Sequence, residues 1–193
     1  MESNSRKTQI LKEIFGYDSF RKGQEEIVDQ ILNGRDVLAI MPTGAGKSLC
    51  YQVPALLMSG ITIVVSPLIS LMIDQVKALN EAGVHAAYIN SALTERQITK
   101  ALELAAAGRY KMIYVAPERL LTPRFLDFAC HTELSMVTID EAHCISQWGQ
   151  DFRPSYVKIT EFIRQLPRRP VVSAFTATAT QKVREDILEV LDL

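Results

Sequence analysis

The chain has 193 residues, of which 48% are hydrophobic, and its 21 basic and 22 acidic side chains give a formal net charge of -1. This length predicts one ordinary domain with a substantial core and is too short for a second full domain. The near-neutral charge excludes a general electrostatic attraction to nucleic acid or to acidic membranes, so any DNA-binding site must be local. Cys50, Cys130 and Cys144 are widely spaced, which predicts reduced, buried thiols and neither a disulfide framework nor a zinc site.

Strands and helices alternate along the predicted chain. Helices at residues 10–15 and 24–32 precede a first strand at residues 36–40. After segment 41–48 and a helix that begins near residue 49, the elements follow in the order strand 61–65, helix 67–79, strand 85–89, helix 94–108, strand 111–115, helix 123–129, strand 134–139, helix 155–166, strand 170–175 and helix 181–191. Thr94 and Gln97 predict a capping box on the helix 94–108. The pattern predicts an α/β fold with three layers, a mainly parallel sheet with helices on both faces.

Segment 41–48, with the sequence MPTGAGKS, lies between the first strand and a helix and predicts a phosphate-binding loop. Its glycines let the backbone approach a polyphosphate, and the first amides of the helix point at the phosphate oxygens. Lys47 would place a charge on the terminal phosphates, while the Ser48 hydroxyl would ligate magnesium. Met41 stands where the full pattern has glycine, so an accidental match in a surface turn is the alternative. The predicted nucleotide-binding residues of the loop are Thr43, Gly44, Ala45, Gly46, Lys47 and Ser48.

Two acidic residues, Asp140 and Glu141, follow the fifth predicted strand. Because the carboxyl ends of parallel strands meet at one edge of a sheet, these acids should lie beside the phosphate-binding loop. Asp140 would hold the magnesium ion, and Glu141 would orient or deprotonate the water that attacks the terminal phosphate. Lys47, Asp140 and Glu141 are therefore the predicted catalytic residues, with solvated turn acids as the alternative.

Residues 140–143, with the sequence DEAH, resemble the signature of superfamily 2 helicases, and further segments resemble the RecQ family of DNA helicases. These segments are the adenine-recognition motif at 15–17, 20–21 and 23–26, the phosphate-binding loop at 41–48, the motifs at 65–71, 116–120 and 176–179, and an aromatic-rich loop at 144–154. The family's loop lacks the first glycine, which accounts for Met41. The resemblance implies the first RecA-like lobe of a P-loop NTPase, with ATP and Mg²⁺ as cofactors, and the use of ATP hydrolysis for 3′-to-5′ movement on single-stranded DNA and for duplex unwinding.

The resemblance also implies roles for single residues. Three residues of the adenine-recognition motif would bind the base: Tyr17 by stacking, Gln24 at the base edge and Arg21 beside it. The predicted contacts with single-stranded DNA are Trp148, Phe152 and Arg153, and the predicted coupling residues are His143, Thr176 and Thr178. For Tyr17 and Trp148 the alternative is ordinary packing, for Gln24 it is a solvated side chain, and for His143 it is a hydrogen-bonded turn. His85 and His131 are expected to be structural or solvated, and no metal cluster is visible.

RecQ helicases, by resemblance, have a second RecA-like lobe that supplies an arginine, then a zinc-binding region and a winged helix, and we expect these to be absent from the 193 residues. Such a single lobe should bind ATP but hydrolyse it slowly. A P-loop kinase and a non-catalytic module that binds nucleotide or a protein partner stay open as alternatives. The polar residues 1–8 and the interruptions in the apolar stretch 61–73 predict a soluble cytoplasmic protein, nucleoid-associated if bacterial, that does not enter a membrane.

Overall fold

The computed structural model describes the backbone of residues 2–193 and the side chains of residues 5–193. Six strands lie within this range: β1 (Val37–Ile40), β2 (Ile61–Val65), β3 (Ala86–Ile89), β4 (Met112–Val115), β5 (Leu134–Ile139) and β6 (Val171–Thr176). The helices are α1 (Glu2–Glu13), α2 (Gln24–Leu32), α3 (Lys47–Leu57), α4 (Ile69–Glu81), α5 (Glu95–Ala106), α6 (Pro123–His131), α7 (Pro154–Gln165) and α8 (Gln181–Leu191). The predicted alternation of strands and helices is confirmed.

The strands form one sheet in the order β1-β6-β5-β2-β4-β3, and every neighbouring pair is parallel. Every residue of the central strand β2 is buried, as expected for a run of apolar residues without polar alternation. Since all strands point the same way, the residues that follow β1, β5 and β6 meet at one edge of the sheet.

Helices cover both faces of the sheet, which confirms the predicted three-layer arrangement. Ile63 of β2 packs in a core with α5, α6, α7 and α8, where Phe125 and Phe162 lie 5.8 Å apart between ring centroids. Val64, the next residue, packs in a second core with α2, α3 and α4. Successive side chains of a strand point to opposite faces of the sheet, so the apolar residues are divided between these two cores.

Helix α1 is longer than predicted, since it begins at Glu2 rather than at residue 10. Its docking depends on Lys7, whose buried ammonium lies 2.5 Å from an Asp29 oxygen and 3.0 Å from a Glu25 oxygen on α2. A buried lysine is invisible to a search for apolar periodicity, and this explains the missed turns.

Other boundaries also differ from the prediction. Helix α4 begins at Ile69 and not at residue 67, because the amide of Ser66 still donates to Val115 O in the sheet and Leu68 is extended. Short 3₁₀ turns at Pro117–Arg119 and Ala142–Ile145 were not predicted. The capping box on α5 is confirmed, with Thr94 N donating to Gln97 Oε1 over 2.8 Å.

Candidate active site

A cavity of about 420 Å³ opens at the edge of the sheet where the strands end. It is lined by the predicted site residues Tyr17, Arg21, Gln24, Thr43, Gly44, Gly46, Lys47, Ser48, Asp140 and Glu141. Ser19, Leu49, Leu71 and Gln75 also line it and were not predicted. The fold therefore brings the adenine-recognition motif, the phosphate-binding loop and the two acids into one cavity, although they are separated by more than a hundred residues in the sequence.

Within the phosphate-binding loop, Gly46 directly precedes the first residue of α3. Gly46 has a φ of +81°, a left-handed conformation that side chains rarely adopt, and a Cβ atom there would lie 2.4 Å from Gln24 Nε2. The helix begins at Lys47, so its unpaired amides face the cavity as a site for phosphate oxygens. Met41, in place of the usual first glycine, is buried in the core and its amide donates to Thr176 O over 2.9 Å.

Gln24 and Arg21 hold the phosphate-binding loop from one side. The Gln24 side chain, only 1% exposed, donates from Nε2 to Ala45 O over 3.2 Å and to Gly46 O over 3.1 Å. Arg21 donates from Nη1 to Gly44 O over 2.7 Å. Both polar groups therefore bind the loop backbone here, and their contact with adenine stays a prediction. Tyr17 is 48% exposed and lines the same cavity, and its stacking on adenine also stays a prediction.

The charged form of Asp140 has an unfavourable local environment. Burial, and then the negative charge of Glu141, raise the pKa of Asp140 to about 6, against the opposing effects of the Glu141 amide, Lys47 and His143. That amide donates to Asp140 Oδ1 over 3.0 Å, and Glu141 itself has a φ of +51°. A positive φ at a residue other than glycine is strained backbone, which proteins tend to keep at functional sites.

The donor set fits magnesium. The Ser48 hydroxyl and the Asp140 carboxylate are hard oxygen ligands in one cavity, and a cation there would relieve the repulsion between the two acids. Among the described residues no cluster of three or more His, Cys, Asp or Glu side chains could hold a metal ion. Magnesium typically completes its shell with phosphate oxygens and water, which suits such a sparse set of protein ligands.

His143 connects the acids to the end of β6. Its Nδ1 lies 2.8 Å from Thr176 Oγ1 and 3.4 Å from Glu141 Oε2. The Thr176 hydroxyl donates its single hydrogen to Thr178 O over 3.1 Å, so Nδ1 of His143 is the donor in the contact with Thr176. On the other side of the ring, Nε2 lies 3.7 Å from Asp151 Oδ2. The structure therefore joins the predicted coupling residues, with Thr178 contributing its carbonyl group; their coupling role stays a prediction.

The aromatic-rich loop lies next to this network. Trp148 is 63% exposed, and Lys182 of α8 places its Nζ 3.1 Å from the ring centroid. Phe152 is half-buried, while Arg153 is exposed and donates from Nη1 to Pro67 O over 3.4 Å. Of the three predicted DNA contacts, Trp148 and Arg153 are thus exposed and Phe152 is half-buried, and their contact with DNA stays a prediction. Lys182 was not predicted from the sequence, because a single lysine on an amphipathic helix belongs to no recognisable motif.

The two remaining histidines lie outside this site. His85 and His131 are both exposed, and Nδ1 of His131 is 2.8 Å from Asp127 O. Of the cysteines, Cys50 and Cys144 are buried as predicted, whereas Cys130 is partly exposed. None of the three forms a disulfide.

The DEAD/DEAH box helicase family matches residues 21–187, which include the phosphate-binding loop, both acids and His143. The chain belongs to this helicase family. It is 50% identical over 189 residues to the ATP-dependent DNA helicase RecQ of Bacillus subtilis, covering 97% of this chain and 32% of that protein. It is 47% identical over 184 residues to RecQ of Haemophilus influenzae, covering 95% of this chain and 30% of that protein. The resemblance to RecQ helicases is confirmed, and the chain spans about a third of the length of these relatives.

A solved structure of the helicase MrfA bound to DNA and AMPPNP has the same fold. Its TM-score is 0.73 at 16% identity, covering 95% of this chain and 28% of that chain. The RecA-like helicase lobe predicted as the fold class is thereby confirmed. Among the described residues, no helix combines the length and the apolar character that a bilayer crossing requires.

Proposed function

We propose that residues 1–193 form one helicase ATP-binding domain, the motor lobe of an ATP-dependent DNA helicase. The intact enzyme would couple ATP hydrolysis to movement along single-stranded DNA and to duplex unwinding. One observation carries the proposal: His143 links the cavity that contains Glu141 to the loop that carries Trp148. Such coupling requires a nucleotide site and an exposed aromatic loop that are joined by polar contacts, and His143 contacts both Glu141 and Asp151.

On the nucleotide side, Tyr17 stacks on adenine and Lys47 binds the terminal phosphates. Ser48 and Asp140 hold magnesium, which when bound neutralises charge on the phosphate oxygens. Glu141 orients the attacking water and accepts its proton. These roles are supported by the shared lining of one cavity and by membership of a helicase family.

On the DNA side, Trp148 stacks on a base without reading its identity, and Arg153 binds backbone phosphate. The helicase MrfA, which contains the same fold, was solved with both DNA and AMPPNP bound. This supports the proposal that a lobe of this fold works with DNA and a nucleotide together. Three further parts of the proposal rest on the resemblance to RecQ helicases alone. They are the 3′-to-5′ polarity, a second RecA-like lobe as partner, and a place in the cytoplasm, beside the nucleoid in a bacterium.

Neither alternative function is favoured by the comparisons. The relatives are named as ATP-dependent DNA helicases, which are enzymes, and the matched family is one of helicases rather than of kinases. A non-catalytic module would also have no reason to keep the strained Glu141 beside a phosphate-binding loop.

The proposal is tested by binding measurements with a non-hydrolysable ATP analogue, in the presence of Mg²⁺, and with an oligonucleotide. We expect Lys47→Ala to weaken analogue binding by about tenfold or more, because it removes charge-assisted contacts with phosphate. Trp148 is the single tryptophan, so its fluorescence should report single-stranded DNA directly. Lys77→Ala is the matched control, since Lys77 is an exposed lysine on α4 with Glu81 as its ion-pair partner. A wild-type chain that binds neither ligand would overturn the proposed function.

A further inference from the structure

A glutamine that belongs to none of the sequence motifs lines the nucleotide cavity. Gln75 lies in the middle of α4 and is half-buried at the cavity wall, with Leu71 one helical turn before it. The amide of a glutamine carries one oxygen that accepts hydrogen bonds and one nitrogen that donates two. The partners of these two atoms inside the protein therefore decide what Gln75 offers to a ligand.

The oxygen of the Gln75 amide is already bound within the protein. Gln52 of α3 is only 4% exposed and donates from Nε2 to Gln75 Oε1 over 3.0 Å and to Tyr114 Oη over 3.0 Å. Both hydrogens of the Gln52 amide are thus used, and the direction of its bond to Gln75 is fixed.

The nitrogen of the Gln75 amide is free. Nε2 carries two hydrogens, and no acceptor in the described part of the chain receives them. Ser66 Oγ is the one side-chain nitrogen or oxygen, among the residues described, that is both buried and without a partner. Gln75 Nε2 is therefore accessible, and the amide presents only donors to a ligand in the cavity.

The fold places these donors on the side of the cavity where Ser48 lies. Gln52 follows Ser48 by four residues, so both side chains lie on the same face of α3. Helix α2 packs on β1, at one edge of the sheet, whereas α4 packs on β4 and β3, at the other. Gln75 therefore approaches α3 from the side away from Gln24, next to the proposed magnesium ligand.

We propose that Gln75 is a nucleotide-binding residue whose Nε2 donates to an oxygen of the terminal phosphate. The inference rests on the proposed function, since the cavity must first bind a magnesium nucleotide. Magnesium bridges the two terminal phosphates, so an amide beside Ser48 is placed for the last of them. Gln52 is the positioning residue, because by binding Oε1 it leaves the donating nitrogen, and not the repelling oxygen, for the anionic phosphate.

The test compares the affinities for a non-hydrolysable ATP analogue and for ADP, both in Mg²⁺. Gln75→Met keeps the length of the side chain and removes the amide. Losing one hydrogen bond to a charged group should weaken analogue binding by roughly tenfold to a hundredfold. ADP binding should stay unchanged, because ADP lacks the terminal phosphate. A loss of packing between α3 and α4 would weaken the binding of both nucleotides.

A second variant keeps the hydrogen bond between α3 and α4. In Gln75→Glu one carboxylate oxygen can still accept from Gln52, while the other replaces Nε2. Analogue binding should fall at least as far as in Gln75→Met, because two anionic groups then face each other, and ADP binding should fall less. This variant carries the test if Gln75→Met fails to fold in a melting experiment. Gln9→Met is the control, since Gln9 is exposed on α1 and donates to Glu13.

The outcomes separate this inference from the proposed function. A loss that is confined to the ATP analogue, or much larger for it, supports both. If a folded variant binds the analogue as tightly as the wild type, or weakens ADP binding as much, Gln75 does not contact the terminal phosphate. The inference is then wrong, while the proposed function stands. If the wild type binds neither nucleotide, the proposed function is wrong and the inference is wrong with it.

Discussion

At the scale of single residues, the ionised carboxylate of Asp140 lowers the stability of the folded protein. Burial and the charge of Glu141 raise the pKa of Asp140 to about 6, above the ordinary value of 3.8. The folded protein therefore binds the proton more tightly than the unfolded chain, and the penalty for ionised Asp140 develops as pH rises from about 4 to about 6. Above pH 6 the whole penalty is present, and below pH 4 it is absent.

Asp140→Asn should therefore stabilise the protein in the absence of nucleotide. We expect the free energy of unfolding at pH 7.5 to rise by about 1 to 3 kcal/mol, because a neutral amide replaces a buried carboxylate. Urea denaturation at pH 4.5 and pH 7.5 measures this, and the wild type should lose more stability over that range than the variant. Asp74→Asn, at an exposed position on α4, is the control and should change little. A variant that is less stable than the wild type at pH 7.5 would contradict the raised pKa.

Sequence patterns identified most of the residues that line the cavity. They were less successful with the residues that hold these lining residues in place. Lys47, Ser48, Asp140 and Glu141 fall in short motifs whose chemistry is local, so spacing alone indicated them. Gln52 and Gln75 belong to no motif, since the hydrogen bond between them joins α3 to α4 and forms only on folding. The hydrogen bonds from Gln24 to the phosphate-binding loop were missed for the same reason.

At the scale of elements, the aromatic-rich loop begins in the core and exposes its tryptophan. Its own backbone is held by bonds such as Arg153 N to Cys144 O at 2.8 Å and Trp148 N to Ser146 Oγ at 3.2 Å. Its residues Cys144 and Ile145 pack in the same core as Val183 of α8, and the exposed Trp148 ring lies under the ammonium of Lys182. This ammonium covers one face of the ring that we propose to stack on DNA.

Lys182→Ala should uncover that face of Trp148. A cation above an exposed aromatic ring contributes about 0.5 to 1 kcal/mol, so the contact is closed most of the time and its loss should be measurable. We expect acrylamide to quench the tryptophan fluorescence more efficiently in the variant, without a change in nucleotide affinity. Lys158→Ala, at an exposed position on α7, leaves the quenching unchanged if the effect is specific. Equal quenching in all three proteins would mean that the ammonium does not cover the ring in solution.

Elements were predictable where apolar patterning determines them. All six strands were found to within one or two residues, because a parallel sheet covered on both faces requires uninterrupted apolar runs. Helix α1 was truncated in the prediction because Lys7, not an apolar residue, anchors its first turns. The 3₁₀ turn at Ala142–Ile145 was missed because a segment of four residues is too short to show a periodic pattern of apolar residues.

At the scale of the whole molecule, the cationic groups around the cavity are too few for rapid phosphoryl transfer. Among the described residues the cationic side chains that line it are Lys47 and Arg21. The Arg21 guanidinium already donates to Gly44 O, so it is committed to the loop. An arginine directed at the terminal phosphate raises the rate of related enzymes by roughly 10³ to 10⁵. The proposed second lobe is the expected source of this arginine.

A protein made of these 193 residues alone should therefore bind ATP yet release phosphate at a rate close to that of Glu141→Gln. The measurement is steady-state phosphate release with and without single-stranded DNA, at nucleotide concentrations that saturate the site. Turnover that DNA stimulates strongly and that Glu141→Gln abolishes would contradict the expectation. In that case an arginine of this chain, or of a second copy, must reach the phosphate, and sedimentation in the presence of ATP and DNA would distinguish these two sources. Slow turnover with intact binding would instead agree with an arginine supplied by the proposed second lobe.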